Sequence, residues 1–487
     1  MLKVLVVFDD TNGKSEIIKD VIGEKGFGDV VVKKRKLENY YHDGIQKLYP
    51  EAKWQTIHSV FEFNELISNL ETTFQENTKV LHCFSNYIIS DEKEVLLSYE
   101  KLRFIDEDYK ILSDKKVAAL MFHSLSSYIC YLNLICMGQS SIDAAKNIEN
   151  FWEMGGLVDI GIVGNFIQCI TGNFDSRFFN SLEGNEYTLV KSSTNRKKIK
   201  SEYLYYHLLP DDMKFWYVMP FHYQDNGEIA SYTMERLHMT DLAIKWVHGS
   251  IEQVEFEELM DKYFYFFKCR HKKEVGKEEY DRIAKALYVD KVISRMADLK
   301  KLPEYYKIEK LMEVSCEKQT IDTLVAKYFF LKEKIERKNH YPKISVIGHG
   351  DSCFANALYN KSTKTLKLID PKGALTEEEL WTNPYYDIAK LSHSICGRYD
   401  FFNNGLFEIK VNEQFMCELS IDFNPSEYQT IFRRKLEENG YDYWTVRVYE
   451  ASLFLSMLPL HIDYPHKVFG FILNVKNILE EIEKNVS

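Results

Sequence analysis

The sequence has no Cys-x-x-Cys pair, and its nine cysteines, an odd number, lie scattered from Cys83 to Cys417. That argues against a disulfide framework or a zinc site and points to reduced thiols in a cytoplasmic protein. Basic charge is not in surplus either: 62 Lys and Arg face 73 Asp and Glu, a formal net charge of −11. A nucleic-acid footprint would need a clustered basic surface. The short run Arg196-Lys197-Lys198 reads as a solvated helix start. No apolar stretch reaches the ~20 residues of a bilayer span. The longest are Tyr128–Met137 and Ala451–Leu460, and the first ten residues read as a buried strand without a leader pattern. Internal repeats, Pro-rich linkers, His-Glu-x-x-His and Gly-x-Ser-x-Gly are all missing, so metalloprotease and serine-hydrolase chemistry have no support. Asn12-Gly13-Lys14-Ser15 hints at a phosphate-binding loop, but Phe8 stands where its first glycine is required. Asp9 and Asp10 are adjacent, so on an extended chain their carboxylates point opposite ways.

At 487 residues the chain exceeds one hydrophobic core, and its style changes near Ser176. Residues 1–175 read as an α/β domain with buried, parallel-type strands at Lys3–Phe8, Val30–Lys33, Lys79–Phe84 and Lys116–Phe122. A helix is expected from about Ser141 to Trp152, then a glycine turn and a short strand near Leu157. Residues 176–240 read as a small strand-rich lobe. Arg177–Ser181 and Glu186–Ser192 are expected as strands around the turn Glu183-Gly184-Asn185, with others at Tyr217–His222 and Ile229–Met234. Between them Lys198–Leu209 carries helical spacing up to Pro210. Residues 241–487 read as a mostly helical lobe interrupted by one stretch of different character.

That stretch is Lys343-Ile-Ser-Val-Ile-Gly-His-Gly-Asp-Ser-Cys-Phe-Ala-Asn356, followed by Leu366-Lys-Leu-Ile-Asp-Pro-Lys-Gly373. An apolar run delivers His349-Gly350-Asp351, Asn356 lies five residues on, and a second apolar run ends at Asp370. Phosphoryl transfer needs a carboxylate at the attacking hydroxyl, and an amide oxygen and a second carboxylate on the metal that bridges the nucleotide phosphates. The Asp351-to-Asn356 spacing is that of the protein-kinase catalytic loop, with Asp370 in the place of its metal-binding aspartate. Asp351 is therefore the expected catalytic carboxylate, with His349 beside it, and Asn356 and Asp370 the expected magnesium ligands. Cys353 has no partner for catalysis and reads as filler, and Asp387 as a brace at a helix start.

A kinase site also needs a cation on the phosphates. Lys191, at a strand end, and Glu202, in the next helix, fit that pair, although no Gly-rich loop precedes them. The hinge is expected at Tyr232–Leu237, where backbone around Glu235 and Leu237 would bind an adenine beside Met234.

These segments, with Tyr386-Asp-Ile-Ala-Lys-Leu-Ser-His-Ser-Ile-Cys-Gly-Arg-Tyr-Asp400, resemble the aminoglycoside phosphotransferase and choline kinase superfamily, most of all the branch from capsule and surface-polysaccharide clusters. The resemblance covers about residues 176–480 and implies an α+β two-lobed protein-kinase-like domain using ATP and Mg2+. Asp351 would be the catalytic base and Asn356 and Asp370 the metal ligands, with His393, Arg398 and Asp400 candidates for the acceptor pocket. Residues 1–175 are similar to a degenerate nucleotidyltransferase of GT-A-like fold: Phe8–Lys14 replaces the Gly-rich loop, and His82-Cys-Phe-Ser-Asn86 stands where a metal-binding aspartate belongs. The expected protein is a cytoplasmic small-molecule kinase whose partner is a sugar-like or amino-alcohol hydroxyl acceptor, with no nucleic acid and no membrane span. The rival readings are a bifunctional nucleotidyltransferase-kinase and a non-catalytic nucleotide- or sugar-binding protein.

Overall fold

Short Val- and Leu-rich runs become buried strands in the computed structural model, which describes residues 3–486 except 33, 74–75, 171–180, 186, 316–318 and 340. The chain divides into two units, Met1–Asp175 and Ser176–Ser487. The first is built on a six-stranded sheet in the order Lys53–Ile57, Val4–Asp9, Lys79–Phe84, Lys116–Phe122, Tyr109–Ser113, Asn150–Glu153. The first three strands are mutually parallel. Lys116–Phe122 departs from expectation and runs antiparallel, because it closes a hairpin with Tyr109–Ser113. The turn residues Asp114 and Lys115 both have positive φ, which matches the twist of a two-residue hairpin.

Two further elements depart from expectation. The expected helix from Ser141 ends at Asn147, and Asn150–Glu153 adds an edge strand instead. There Trp152 packs on Tyr109 at 5.1 Å and donates to the Ser98 hydroxyl at 2.8 Å, contacts a continuing helix could not make. Val31–Val32 forms only a two-residue hairpin with Arg35–Lys36, outside the main sheet.

The second unit begins with a four-stranded antiparallel sheet, ordered Ser181–Gly184, Thr188–Ser193, Ala230–Glu235, Pro220–Asp225. Positions 177–180 of the expected first strand, and 186, lie outside the described residues. The helix Arg196–Leu208 is capped by Asn195, whose side chain accepts from Lys198 N. Helices Leu242–His248, Gln253–Cys269, Lys291–Leu299, Ile321–Lys338, Pro384–Ile395, Ser426–Glu438, Tyr443–Met457 and Pro465–Val486 bury their apolar faces in one core around Trp246, Tyr263, Phe354, Ile388 and Phe454. A hairpin, Glu408–Val411 with Cys417–Ser420, interrupts the helical C-terminal part. Two three-stranded sheets carry the loops of interest: Ile344–Ile347 lies between Lys272–Glu274 and Trp381–Thr382, and Ala357–Asn360 between Thr240–Asp241 and Thr365–Leu368. Among the described residues no helix is long and apolar enough to cross a membrane.

Candidate active site

The buried strand Ile344–Ile347 delivers the loop His349-Gly350-Asp351. Gly350 has φ +81, and a Cβ there would stand 2.5 Å from Cβ of Lys372, so only glycine lets the two segments approach. Asp387, in the first turn of Pro384–Ile395, holds the loop backbone: its carboxylate accepts from His349 N at 3.0 Å and Gly350 N at 2.7 Å. Arg270 closes this brace, with Nη1 3.0 Å from Asp387 Oδ2 and Nη2 donating to Pro384 O at 3.1 Å. Arg270 and Asp387 are both buried.

His349 donates through Nε2 to Ile369 O at 2.9 Å and accepts at Nδ1 from Asp351 N at 3.1 Å, a neutral tautomer assigned from these partners. Its pKa is lowered, with burial the largest cause. Both ring nitrogens are thus engaged with the backbone, and the ring stacks on Tyr217. The residue braces the loop and leaves neither nitrogen for a substrate proton.

Asp351 meets two donors: Lys390 Nζ lies 2.8 Å from Oδ1, and Asn356 Nδ2 donates to Oδ2 at 3.0 Å. Burial, the largest single influence, works against ionisation of this carboxyl, but the Lys390 ammonium together with its other partners, Asn356 among them, holds the pKa below the ordinary value. One side stays open, the side chain being 39% exposed. Asn356 Nδ2 also donates to Asp351 O at 2.8 Å, so its Oδ1 remains the acceptor.

Lys191, buried on Thr188–Ser193, places Nζ 2.8 Å from Glu202 Oε2 and 2.8 Å from Asp370 Oδ1. Burial would deprotonate it, yet Asp370 and Glu202 together raise its pKa. Glu202 is steadied by the Tyr232 hydroxyl at 3.2 Å. Asp370 has φ +53, a left-handed conformation that aspartate tolerates better than most residues. The segment after it is strapped down: Lys372 N donates to His349 O at 2.9 Å and Ala374 N to Ser201 O at 3.0 Å. Across the same junction Tyr205 OH donates to Gly348 O at 3.0 Å. The expected loop and cation pair therefore stand together.

The hinge residues are spread along one strand end. Met234 borders a small cleft open to solvent, with Glu202, Tyr205, Tyr217, Tyr232 and Asp370. Glu235 pairs with Thr188, and Arg236 N donates to Tyr187 O at 2.9 Å, so an adenine there has only the flanking backbone of Glu235 and Leu237 to use.

For magnesium, Asp370 and Asn356 Oδ1 are hard oxygen donors, and the Asp370 side chain is 44% exposed. Mg2+ takes one or two carboxylates plus nucleotide phosphates, which fits this pair. Among the described residues no group of three or more His, Cys, Asp or Glu is placed to hold a metal by itself.

His393 and Asp400 are buried. The His393 ring lies between Tyr399 and Phe454, at 4.4 and 4.2 Å. Arg398 heads the short helix Tyr399–Asn403 at φ +53. No hydrogen bond of ordinary geometry reaches either Asp400 oxygen, although Ser394 lies close enough to favour its ionised form. Burial pushes the Asp400 carboxyl up to about 7. A folded-state pKa above the unfolded ~3.9 means the folded state binds the extra proton, so this group's contribution to stability is whole below pH ~4 and lost as pH rises toward 7. Asp400→Asn removes that loss. Relative to wild type it should gain on the order of 2–4 kcal/mol at pH 8 and little at pH 4.5. Denaturant melts at the two pH values check this, and an equal offset at both would exclude it.

In the first unit Asp9 Oδ2 lies 3.2 Å from His82 Nε2 and accepts from Ser141 Oγ at 3.1 Å. Asp10 accepts instead from Gly28 N at 3.1 Å, so the adjacent carboxylates serve separate partners. Beyond the central strand, Asn86 Nδ2 donates to Asp159 Oδ1 at 2.8 Å and Lys116 Nζ sits 3.0 Å from Oδ2. An amide and an ammonium satisfy that carboxylate.

Sequence reasoning gave no role to Lys390 and overlooked Arg270. Lys390 follows Asp387 by three residues, so both share a helix face, and that spacing was the available signal. Arg270 has none, lying 117 positions from Asp387.

No protein-family profile and no curated protein matches the chain. Solved structures similar to it include a thermostable mutant of aminoglycoside phosphotransferase APH(4)-Ia in ternary complex with ADP and hygromycin B, at TM-score 0.35 and 11% identity, over 65% of this chain and 98% of that one. A putative fructosamine-3-kinase from Haemophilus somnus follows at TM-score 0.34 and 12% identity, over 61% and 83%. ADP-bound aminoglycoside phosphotransferase APH(2'')-Ib gives TM-score 0.34 and 14% identity, over 66% and 97%. These likenesses are slight beside what the side chains themselves show.

Proposed function

We propose that residues 176–487 form a magnesium- and ATP-dependent phosphotransferase acting on a hydroxyl of a small molecule, a sugar or amino-alcohol precursor of a surface polysaccharide. The observation that carries it is convergence: Lys191, Glu202 and Asp370 come from three elements to meet at 2.8 Å, beside the loop that holds Asp351 against Asn356. The precursor class comes from the motif resemblance alone.

Asp351 accepts a hydrogen bond from the acceptor hydroxyl and takes its proton as the oxygen bonds to the γ-phosphorus. The bond from that phosphorus to the β,γ-bridging oxygen breaks, ADP leaves with the electron pair, and the proton passes to solvent. A carboxyl held below its usual pKa is a weak base, which suits a loose transition state where orientation matters more than early deprotonation. Lys191, once turned from Asp370, neutralises the phosphates, with Glu202 keeping its direction. Asp370 and Asn356 would hold magnesium, which would supply positive charge for the phosphate oxygens. His349 holds the loop.

The first unit reads as a scaffold of nucleotidyltransferase type without catalysis. Its mixed sheet is compatible with that fold, and Asn86 and Lys116 occupy Asp159 where a cation would otherwise be needed.

Calorimetric titration of magnesium-ATP tests the site. Wild type should bind saturably and only with magnesium, and Asp370→Asn should weaken binding by at least about tenfold, ~1.4 kcal/mol. A wild type that binds no magnesium-ATP sinks the proposal.

A further inference from the structure

Each of the two carboxylates central to the site carries its own lysine. Lys191 lies 2.8 Å from Asp370, and Lys390 lies 2.8 Å from Asp351. We propose that Lys390 is a positioning residue for phosphoryl transfer: it fixes the Asp351 carboxylate toward the acceptor and cancels its charge beside the incoming phosphoryl group. The assignment rests on the phosphotransferase reading.

The helix Pro384–Ile395 separates two tasks. Asp387, with Arg270, holds the loop through backbone amides. Lys390, three residues on, reaches past the backbone to the Asp351 carboxylate itself. A bracing role is already filled by Asp387 and by the Ser352 hydroxyl, which donates to Asp387 O at 2.8 Å. Lys390 is 15% exposed against 39% for its partner, so an ammonium has been drawn out of water to serve a carboxylate that remains partly in it. Because Asp351 keeps one side in water, removing the lysine does not strand a fully buried charge, as removing Arg270 would at Asp387.

Electrostatics gives the pair a use. In phosphoryl transfer, negative charge is spread over three equatorial oxygens. A bare carboxylate within bonding reach of the acceptor oxygen would repel that group. Asn356 contributes a neutral amide, so Lys390 supplies the compensating charge. Lysine is a compact point charge with three rotatable donors, able to keep Asp351 and still turn another N–H toward a phosphoryl oxygen.

The test uses the full-length chain with magnesium-ATP and water as acceptor, followed as ADP release. Water's oxygen bonds to the γ-phosphorus, the bond to ADP breaks, and the proton is released. Lys390→Met should slow ADP release by about 100-fold or more, comparably to Asp351→Asn, with ATP affinity changed less than about threefold. Its melting temperature should stay within about 4 °C of wild type, and Lys390→Arg should recover part of the rate. Turnover of Lys390→Met within about threefold of wild type overturns the assignment. So does a melting temperature lowered by more than about 10 °C in both variants, which would make the lysine a brace. A wild type that neither binds magnesium-ATP nor releases ADP overturns the phosphotransferase reading, and this assignment with it, whereas an active wild type with an unaffected Lys390→Met overturns the lysine alone.

Discussion

Asp351→Asn is expected to slow phosphoryl transfer by about 10²- to 10⁴-fold while magnesium-ATP still binds. The substitution keeps the shape of the side chain and removes its charge and its capacity to take a proton. Lys390 and Asn356 would then present donors to an amide that can accept at only one atom, so the side chain must also turn away from one of them. Lys191, Glu202 and Asp370 do not depend on Asp351 for their mutual contacts, so nucleotide affinity should change little. Rapid-quench measurement of ADP formation beside calorimetry separates the two effects. A variant within tenfold of wild type in rate would mean that Asp351 neither orients nor deprotonates the acceptor.

The largest loss of stability is expected at Arg270. Replacing it with Met leaves Asp387 buried without its cation, and breaking such a pair costs about 3–5 kcal/mol. The loss should reach the loop as well, because the same carboxylate holds the amides of His349 and Gly350. Urea denaturation measures the cost, and the double variant Arg270→Met with Asp387→Leu should be less damaged than the sum of the single ones. A single variant that loses under 1 kcal/mol, or singles that simply add, would refute the coupled brace.

Much of the site is legible in the sequence because its chemistry is local. Asp351 and Asn356 lie on one loop, and that loop follows an apolar strand that can be recognised from residue type alone. The Lys191 and Glu202 pair is legible for a related reason: a strand and the next helix have few ways to face each other. Long-range partners are not written this way. Nothing in the surroundings of Arg270 distinguishes a guanidinium closing a brace from one in solvent, and Lys390 looks like any helix lysine until the loop it faces is known. His349 shows a different limit. Its place beside Asp351 suggests chemistry, while two backbone hydrogen bonds give it a mechanical task. In the first unit, Tyr109–Ser113 and Asn150–Glu153 are missed because weakly patterned strands draw their stability from neighbours, and the edge contacts of Trp152 override a helix-like stretch.

The strap after Asp370 has a mechanical corollary. The five positions from Asp370 to Ala374 are tied at one point to the loop, through His349 O, and at another to the helix bearing Glu202, through Ser201 O. Swinging that helix outward, a common way to silence a nucleotide site, would tear the Ala374 bond and the Tyr205 bond to Gly348 together. Between those ties the segment has little slack, since each end is committed to a different partner. Its geometry is set as the chain folds, loop and helix together.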